Sequence, residues 1–307
     1  MKNIILVTGT HRSGTTWVRR TMSASKKVRY IHEPMNPEIT RIVDLPLQNF
    51  YTDYQASALK LKDDIDAALD VIFKMDSFEY AERRSKIKNN RGFRRLAVFS
   101  RDYVKDKIFC ESVLIKDPLA LLSAEHIQKR YNAKVVVLIR NPFSFVYSNI
   151  KAGWDFDFAN IKNQDGVISQ RFPSYQSEIE RVIYDYDSTS FVERSVLTWN
   201  ILHEIIKDYR TRFPDWHFVR YEDIAFEPEK HFRKMFSFLG LTYNRNISEY
   251  ISKMTSSNNP ADAGTTGLQA RDSRSIVSAW KNQLSEEDKC YIEKKLLSYL
   301  SSFTRKV

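Results

Sequence analysis

Cysteine is scarce in this chain: only Cys110 and Cys290 occur, far apart and without a metal-like spacing. That argues against a disulfide scaffold and against a structural zinc site, and it suits a reducing compartment. Long apolar runs are missing as well, since nothing approaches the ~20 residues that a membrane span needs. The N-terminal run Ile4–Val7 is too short for the apolar part of a signal peptide and leads straight into a glycine-containing loop, so a cytoplasmic protein is expected. Internal repeats and a linker marking a second domain are also absent, and the expected organisation is a single domain over residues 1–307. Acidic residues are the minority charge. With 48 Lys+Arg against 38 Asp+Glu the formal charge is +10, which favours anionic partners without saying which.

The most informative missing residue is a lysine. Residues 4–18 read Ile-Ile-Leu-Val-Thr-Gly-Thr-His-Arg-Ser-Gly-Thr-Thr-Trp-Val. Four apolar, mostly β-branched residues describe a buried parallel strand, and the glycines after them allow a tight turn into a helix. Such a loop aims backbone N–H groups and the positive end of a helix at one spot, where a phosphate or sulfate is held. Gly9, Gly14, Thr15 and Thr16 have the spacing of a P-loop, but Thr15 stands where a nucleotide triphosphatase carries its lysine. The chain is therefore poorly equipped to handle ATP in the usual way. Its cation is Arg12, inside the loop.

The same grammar of short strand and charged exit recurs along the chain. Val28–Ile31 leads into His32-Glu33-Pro34, Ser112–Ile115 into Lys116-Asp117-Pro118, and Lys134–Ile139, the clearest buried strand, into Arg140. Trp216–Val219 leads into Arg220-Tyr221-Glu222-Asp223. In a doubly wound sheet ligands sit beyond the carboxyl ends of the strands, so these charges are expected to face the P-loop's cleft. The expected fold is α/β, a P-loop three-layer sandwich with a central parallel sheet flanked by helices.

Helices are predicted over Thr15–Ser25, Leu119–Arg130, Phe143–Lys151 and Val196–Tyr209. Asn141 would cap the third and Pro142 suits its first turn, which puts Ser144 and Ser148 on one face near Arg140 as a second anion pocket. Pro228 opens an amphipathic helix with Phe232, Met235, Phe236 and Leu239 on one face and Gly240 at its end. A capping box, Ser285 to Asp288, starts a last helix through Ile292, Leu296 and Leu300. Residues 39–105 read as a helical insertion with Leu59, Ile65, Leu69 and Ile72 on its apolar side. Its basic stretch Arg83–Arg95 reads as a solvated face, not a nucleic-acid patch. Residues 153–192 form an aromatic and acidic excursion suited to a lid or acceptor platform, most of whose rings pack on the core. Residues 255–279, rich in Ser, Asn and Gly, read as a flexible loop.

Four separated stretches resemble the sulfotransferases that use 3′-phosphoadenosine-5′-phosphosulfate (PAPS). His11-Arg12-Ser13-Gly14-Thr15-Thr16-Trp17 resembles the family's 5′-phosphosulfate loop, and Ile139-Arg140-Asn141-Pro142 with Ser148 resembles its 3′-phosphate segment. Val219–Asp223 before a helix ending Phe238-Leu239-Gly240, and Arg274 with Trp280-Lys281-Asn282, resemble two further family stretches. The resemblance implies that Arg12, with Ser13, Gly14, Thr15, Thr16 and Trp17 around it, holds the 5′-phosphate and the transferring sulfonate. It also implies that Arg140, Ser148 and Arg274 hold the 3′-phosphate and that Tyr221 meets the adenine. The arginine loop, Glu33 and Lys116-Asp117-Pro118 are more similar to the protein-tyrosine and carbohydrate branches than to the cytosolic phenol and steroid enzymes. Glu33 is then the general base, His32 its reserve, and Lys116 a support for the transfer; adenosine 3′,5′-bisphosphate is the product and no metal is required. The acceptor is expected to be a sugar hydroxyl on a glycan or glycolipid, with a small alcohol or phenol as alternative. A P-loop small-molecule kinase, in which Thr16 and Asp117 would hold Mg²⁺, and a non-catalytic nucleotide- or nucleic-acid-binding module are the rival readings.

Overall fold

A computed structural model describes residues 2–25, 27–38, 47–57, 59–74, 109–256, 258–259 and 272–303. Its centre is a parallel sheet in which β1 (Asn3–Gly9) pairs with β3 (Ser112–Lys116) on one side and with β4 (Lys134–Ile139) on the other. β2 (Val28–His32) and β5 (His217–Arg220) complete the strand order β2-β3-β1-β4-β5. The inner strands are buried almost throughout, as their continuous Ile, Leu and Val runs require, whereas the edges β2 and β5 are mostly half-buried and β2 ends in the exposed His32.

Alternation along β1 divides the core into two layers. Ile4 and Leu6 join Val113, Ile115, Val135 and Val137 under the long helix α8 (Phe191–Arg212), through Leu197, Ile201 and Ile205. Ile5 and Val7 face the opposite way, with Leu114, Val136 and Leu138. They pack against α1 (Thr15–Ser23) through Trp17, Val18 and Met22, against α9 (Tyr221–Phe226) through Ile224 and Ala225, and against α10 (Pro228–Leu239) through Phe232, Met235, Phe236 and Leu239. Helix, sheet and helix are the three layers expected. A further cluster joins α4 (Pro142–Ala152) to α8 and to α13 (Glu286–Phe303) through Phe143, Val146, Trp199, Ile292 and Leu296.

Between β3 and β4 the predicted helix Leu119–Arg130 is broken. A 3-10 turn, Pro118–Ala120, is capped by the Asp117 side chain, and α3 (Ala124–Tyr131) follows only after it. The helix α8 starts earlier than its apolar pattern, because Ser190 and Glu193 form a capping box with each other's backbone. The expected loop at 255–279 is corrected in part: α11 (Arg245–Thr255) runs up to it. Within it lies α12 (Ser273–Ser278), capped by Asp272, and a 3-10 turn follows at Ala279–Asn282. The rest of that stretch, residues 257 and 260–271, lies outside the described residues. Within the insertion, α2 (Leu59–Lys74) buries Ile65 and Leu69, while Arg83–Arg95 falls outside the described residues. The aromatic excursion folds into α5 (Ala159–Lys162), α6 (Val167–Arg171) and α7 (Gln176–Tyr184), and Phe156, Phe158 and Phe172 are buried in the core. No helix among the described residues is long and apolar enough to cross a membrane.

Gly9 closes β1 with φ at +135°, and a Cβ there would stand 2.2 Å from the Leu138 carbonyl oxygen of the neighbouring strand. Both the backbone angle and the space forbid a side chain. Gly9→Ala is expected to lower the unfolding free energy by at least ~2 kcal/mol in urea denaturation, from strain plus displacement of β4; wild-type stability would show that the β1–β4 contact has slack.

Candidate active site

The carboxyl ends of the strands open into one cavity of about 1040 Å³. β1 and β4 are neighbours whose following helices, α1 and α4, sit at the point where the strand order turns in opposite directions. An open α/β sheet makes its crevice at such a point. The loop after β1 passes through Arg12 at φ +60° and Gly14 at φ +90° before entering α1. Gly14 takes the N-cap position and no side chain caps the helix. The leading amides of α1 therefore remain for a ligand, with the helix dipole behind them. A Cβ on Gly14 would meet the Tyr221 ring at 2.5 Å, so glycine is what lets that ring lie against the loop.

Arg12 and Arg140 form one wall. Arg12 Nε donates to Ser148 Oγ at 3.0 Å, and Arg140 Nη1 donates to the Arg12 carbonyl. The Arg140 guanidinium also stacks 4.9 Å from the centre of the Tyr221 ring. Buried groups behind the wall fix its position. Trp199 Nε1 donates to the Arg140 carbonyl at 3.0 Å, and the Asn141 N–H donates to Glu222 Oε1 at 2.9 Å. Burial pushes the Glu222 carboxyl above its usual range, although the Asn141 bond opposes this. Asn141 caps α4 through its side chain, as its place before Pro142 implied, and Ser148 faces the cavity one turn beyond the buried Ser144.

Glu33 and Lys116 form the opposite wall. Their side chains are joined by a direct hydrogen-bonded ion pair, and Asn36 Nδ2 donates to the second Glu33 oxygen at 3.0 Å. Burial works against ionisation of Glu33, but Lys116 and Asn36 outweigh it and hold the carboxyl below the ordinary glutamate range. Glu33 is ionised at neutral pH. Its backbone is left-handed, with φ at +40°, a conformation that costs a non-glycine residue roughly 1–2 kcal/mol and must be held by its surroundings.

Of the sequence-predicted residues, Arg12, Gly14, Thr15, Thr16, Trp17, Glu33, Lys116, Arg140, Ser148 and Tyr221 line the cavity together. Ser13 does not line it: its side chain is buried and its hydroxyl donates to the Thr10 carbonyl at 2.5 Å. His32 is exposed beside the cavity, hydrogen-bonded to Tyr30 at 2.6 Å and 4.0 Å from the Glu33 carboxylate. Arg274 is exposed too, its guanidinium donating to the Phe226 carbonyl at 3.4 Å, while Ser275 and Ile276 of the same helix line the cavity.

Other residues of the wall had no assigned role, or only a collective one, in the sequence. His11 was part of the loop motif without a role; its Nδ1 lies 2.7 Å from the Tyr51 hydroxyl and its ring 3.8 Å from that of Trp154. Burial, aided by Arg12, lowers its pKa well below the usual value, so the ring is neutral. His11 thereby ties the P-loop to the aromatic excursion. Trp154, Asp155, Phe156, Asp157 and Asn160 of the aromatic excursion line the cavity, together with Phe50. Tyr51 and Trp199 could not be found from spacing, because they reach the loop and Arg140 from elements distant in the chain.

A family model described as "Sulfotransferase family" matches residues 4–245. Among solved structures, the chain is similar to the sulfotransferase domain from the curacin biosynthetic pathway at 12% identity and a TM-score of 0.49, with 96% of this chain and 98% of that chain covered. Sulfotransferase STF9 from Mycobacterium avium is 13% identical with a TM-score of 0.46, covering 100% of this chain and 78% of that chain. The mouse sulfotransferase SULT7A1 complexed with PAP is 13% identical with a TM-score of 0.42, covering 98% of this chain and 85% of that chain. No curated protein matches the chain. The match of the family model over most of the sequence carries the assignment: the chain belongs to the PAPS-dependent sulfotransferase family.

Proposed function

We propose that this enzyme moves the sulfonate of PAPS to a hydroxyl acceptor, with Glu33 as general base and a sugar hydroxyl of a glycan or glycolipid as the acceptor. The observation that carries this reading is the meeting of Arg12, Arg140 and Ser148 on one wall with the Glu33–Lys116 pair on the other, around an uncapped helix N-terminus. The residues fit a doubly anionic nucleotide: the amides of α1 and Arg12 suit the 5′ end, and Arg140 with Ser148 suits the 3′-phosphate. Tyr221, pressed against Gly14 and Trp17, offers the adenine a ring edge or face. PAPS supplies the sulfonate and a phosphate leaving group.

The chain's own residues do the rest. An acceptor hydroxyl has a pKa far above neutrality, and Glu33, ionised and at the cavity wall, takes its proton. Arg12 and Lys116 set positive charge where negative charge grows on the sulfonate oxygens and the departing oxygen. When Lys116 turns to that task its hold on Glu33 weakens, and the carboxylate becomes a stronger base as it is needed. His32 is less suited, since it lies outside the cavity lining and partial desolvation of its ring lowers its basicity. The glutamate base, with the arginine loop and Lys116, supports kinship with the carbohydrate and protein-tyrosine branches. Trp154, Phe156 and Asn160 offer the flat faces and amide that a sugar takes.

Calorimetric titration with adenosine 3′,5′-bisphosphate in the absence of metal is expected to show micromolar binding, weakened at least ~30-fold in Arg140→Ala. Binding of ATP with Mg²⁺ in its place would mean a kinase. Glu33→Gln, nearly isosteric and still able to accept from Lys116, is expected to bind the bisphosphate normally and to lower turnover at least ~100-fold. Undiminished turnover would remove Glu33 from the mechanism. In a screen with ³⁵S-labelled PAPS, label should pass to methyl glycosides in preference to 4-nitrophenol, and the reverse order would reject the sugar acceptor.

A further inference from the structure

Asp117 takes no part in the chemistry above, yet it joins two turns that adjoin the cavity. Its side chain is wholly inaccessible, at 0% exposure, and it does not line the cavity. One carboxylate oxygen accepts the Met35 N–H at 2.6 Å and the other accepts the Leu119 N–H at 2.9 Å. Its own N–H donates to the Val7 carbonyl of β1 at 3.0 Å. Met35 belongs to the turn that carries Glu33. That turn is closed by Asn36 N donating to the Glu33 carbonyl at 3.1 Å, and its start is tied to β3 by Glu33 N donating to the Lys116 carbonyl at 3.0 Å. Asp117 supplies the second tie. Leu119 belongs to the 3-10 turn whose Pro118 and Leu119 line the cavity.

We propose that Asp117 is a positioning residue for the base: its two oxygens lock the left-handed turn bearing Glu33 to the 3-10 turn of the adjoining wall. The proposal rests on Glu33 being the base. A buried carboxylate is a costly way to fill space, and an apolar side chain of similar volume would be cheaper were filling the only task. Burial first, then the nearby Glu33 charge, push its pKa up to about 7, which measures how unwelcome its charge is there. What an apolar replacement cannot do is accept two backbone N–H groups from separate turns. Without that acceptor the Glu33 turn would be held to β3 at its first residue only, and the carboxylate would wander from the acceptor hydroxyl while the P-loop kept its shape.

The test is a double-mutant cycle between Asp117→Asn and Glu33→Gln. It reads kcat at saturating PAPS with the methyl glycoside that accepts best, bisphosphate affinity by calorimetry, and Met35 amide exchange by NMR. Asparagine keeps one acceptor oxygen and loses the other. Asp117→Asn is expected to lower kcat at least ~10-fold, to leave bisphosphate affinity unchanged and to speed exchange at Met35; in the Glu33→Gln background it should lower kcat no further. Equal loss in both backgrounds, or unaltered Met35 exchange, overturns the positioning role while leaving Glu33 as the base. Wild-type turnover in Glu33→Gln alone instead removes the base assignment, and this proposal with it. Should Asp117→Asn fail to fold, Asp117→Glu, which keeps the charge but shifts the oxygens by one methylene, carries the same cycle.

Discussion

Because β1 pairs in parallel with β3 and with β4, and β2 with β3, these strands release the chain at one edge of the sheet. The register sets Val7 beside Lys116 and Val136, and His32 beside Lys116. A shift of one residue in any ladder would turn the buried apolar set of that strand towards the wrong layer, so register is held by the whole core. Arg12, Glu33, Lys116 and Arg140 come from four parts of the chain and meet only because that core allows no other pairing.

The two walls handle charge differently. Arg12 and Arg140 donate to neutral oxygens, the Ser148 hydroxyl and the Arg12 carbonyl, and Arg140 also lies within the field of the Glu222 carboxylate. Lys116 is instead joined to Glu33, with both side chains largely buried. A buried pair of this kind is costly to split without a replacement, since an uncompensated buried charge costs ~3–5 kcal/mol. An arriving anion is such a replacement. The site thus sets two guanidinium groups beside a carboxylate whose proton affinity depends on what its lysine partner is doing.

Rigidity behind the site comes from Trp199 and Glu222, which do not line the cavity, and from His11, which does. Trp199 in the middle of α8 holds the carbonyl of Arg140, Glu222 holds the next amide, and His11 is hydrogen-bonded to the Tyr51 hydroxyl and packs on the excursion ring Trp154. The hydrogen bonds from Trp199 Nε1 to the Arg140 carbonyl and from the Asn141 N–H to Glu222 Oε1 fix direction at small net cost and leave the functional side chains few alternative places.

The strands, the loop after β1 and the placement of Arg140, Asn141 and Ser148 were legible in the sequence alone. Lys134–Ile139 was legible to the residue because a buried parallel strand is continuously apolar, and the P-loop because its glycines must sit where φ is positive. Arg140, Asn141 and Ser148 were legible because cap chemistry and helical spacing are local. Local signals also misled. A helix was expected straight through Leu119, where Asp117 caps a separate 3-10 turn, and a loop where Asp272 caps α12. The exposed placements of His32 and Arg274, the Glu33–Lys116 pair, and the support given by Trp199, Tyr51 and Asp117 were decided only by the tertiary structure. Each depends on contacts between elements tens of residues apart, and such contacts leave no period or spacing in the chain.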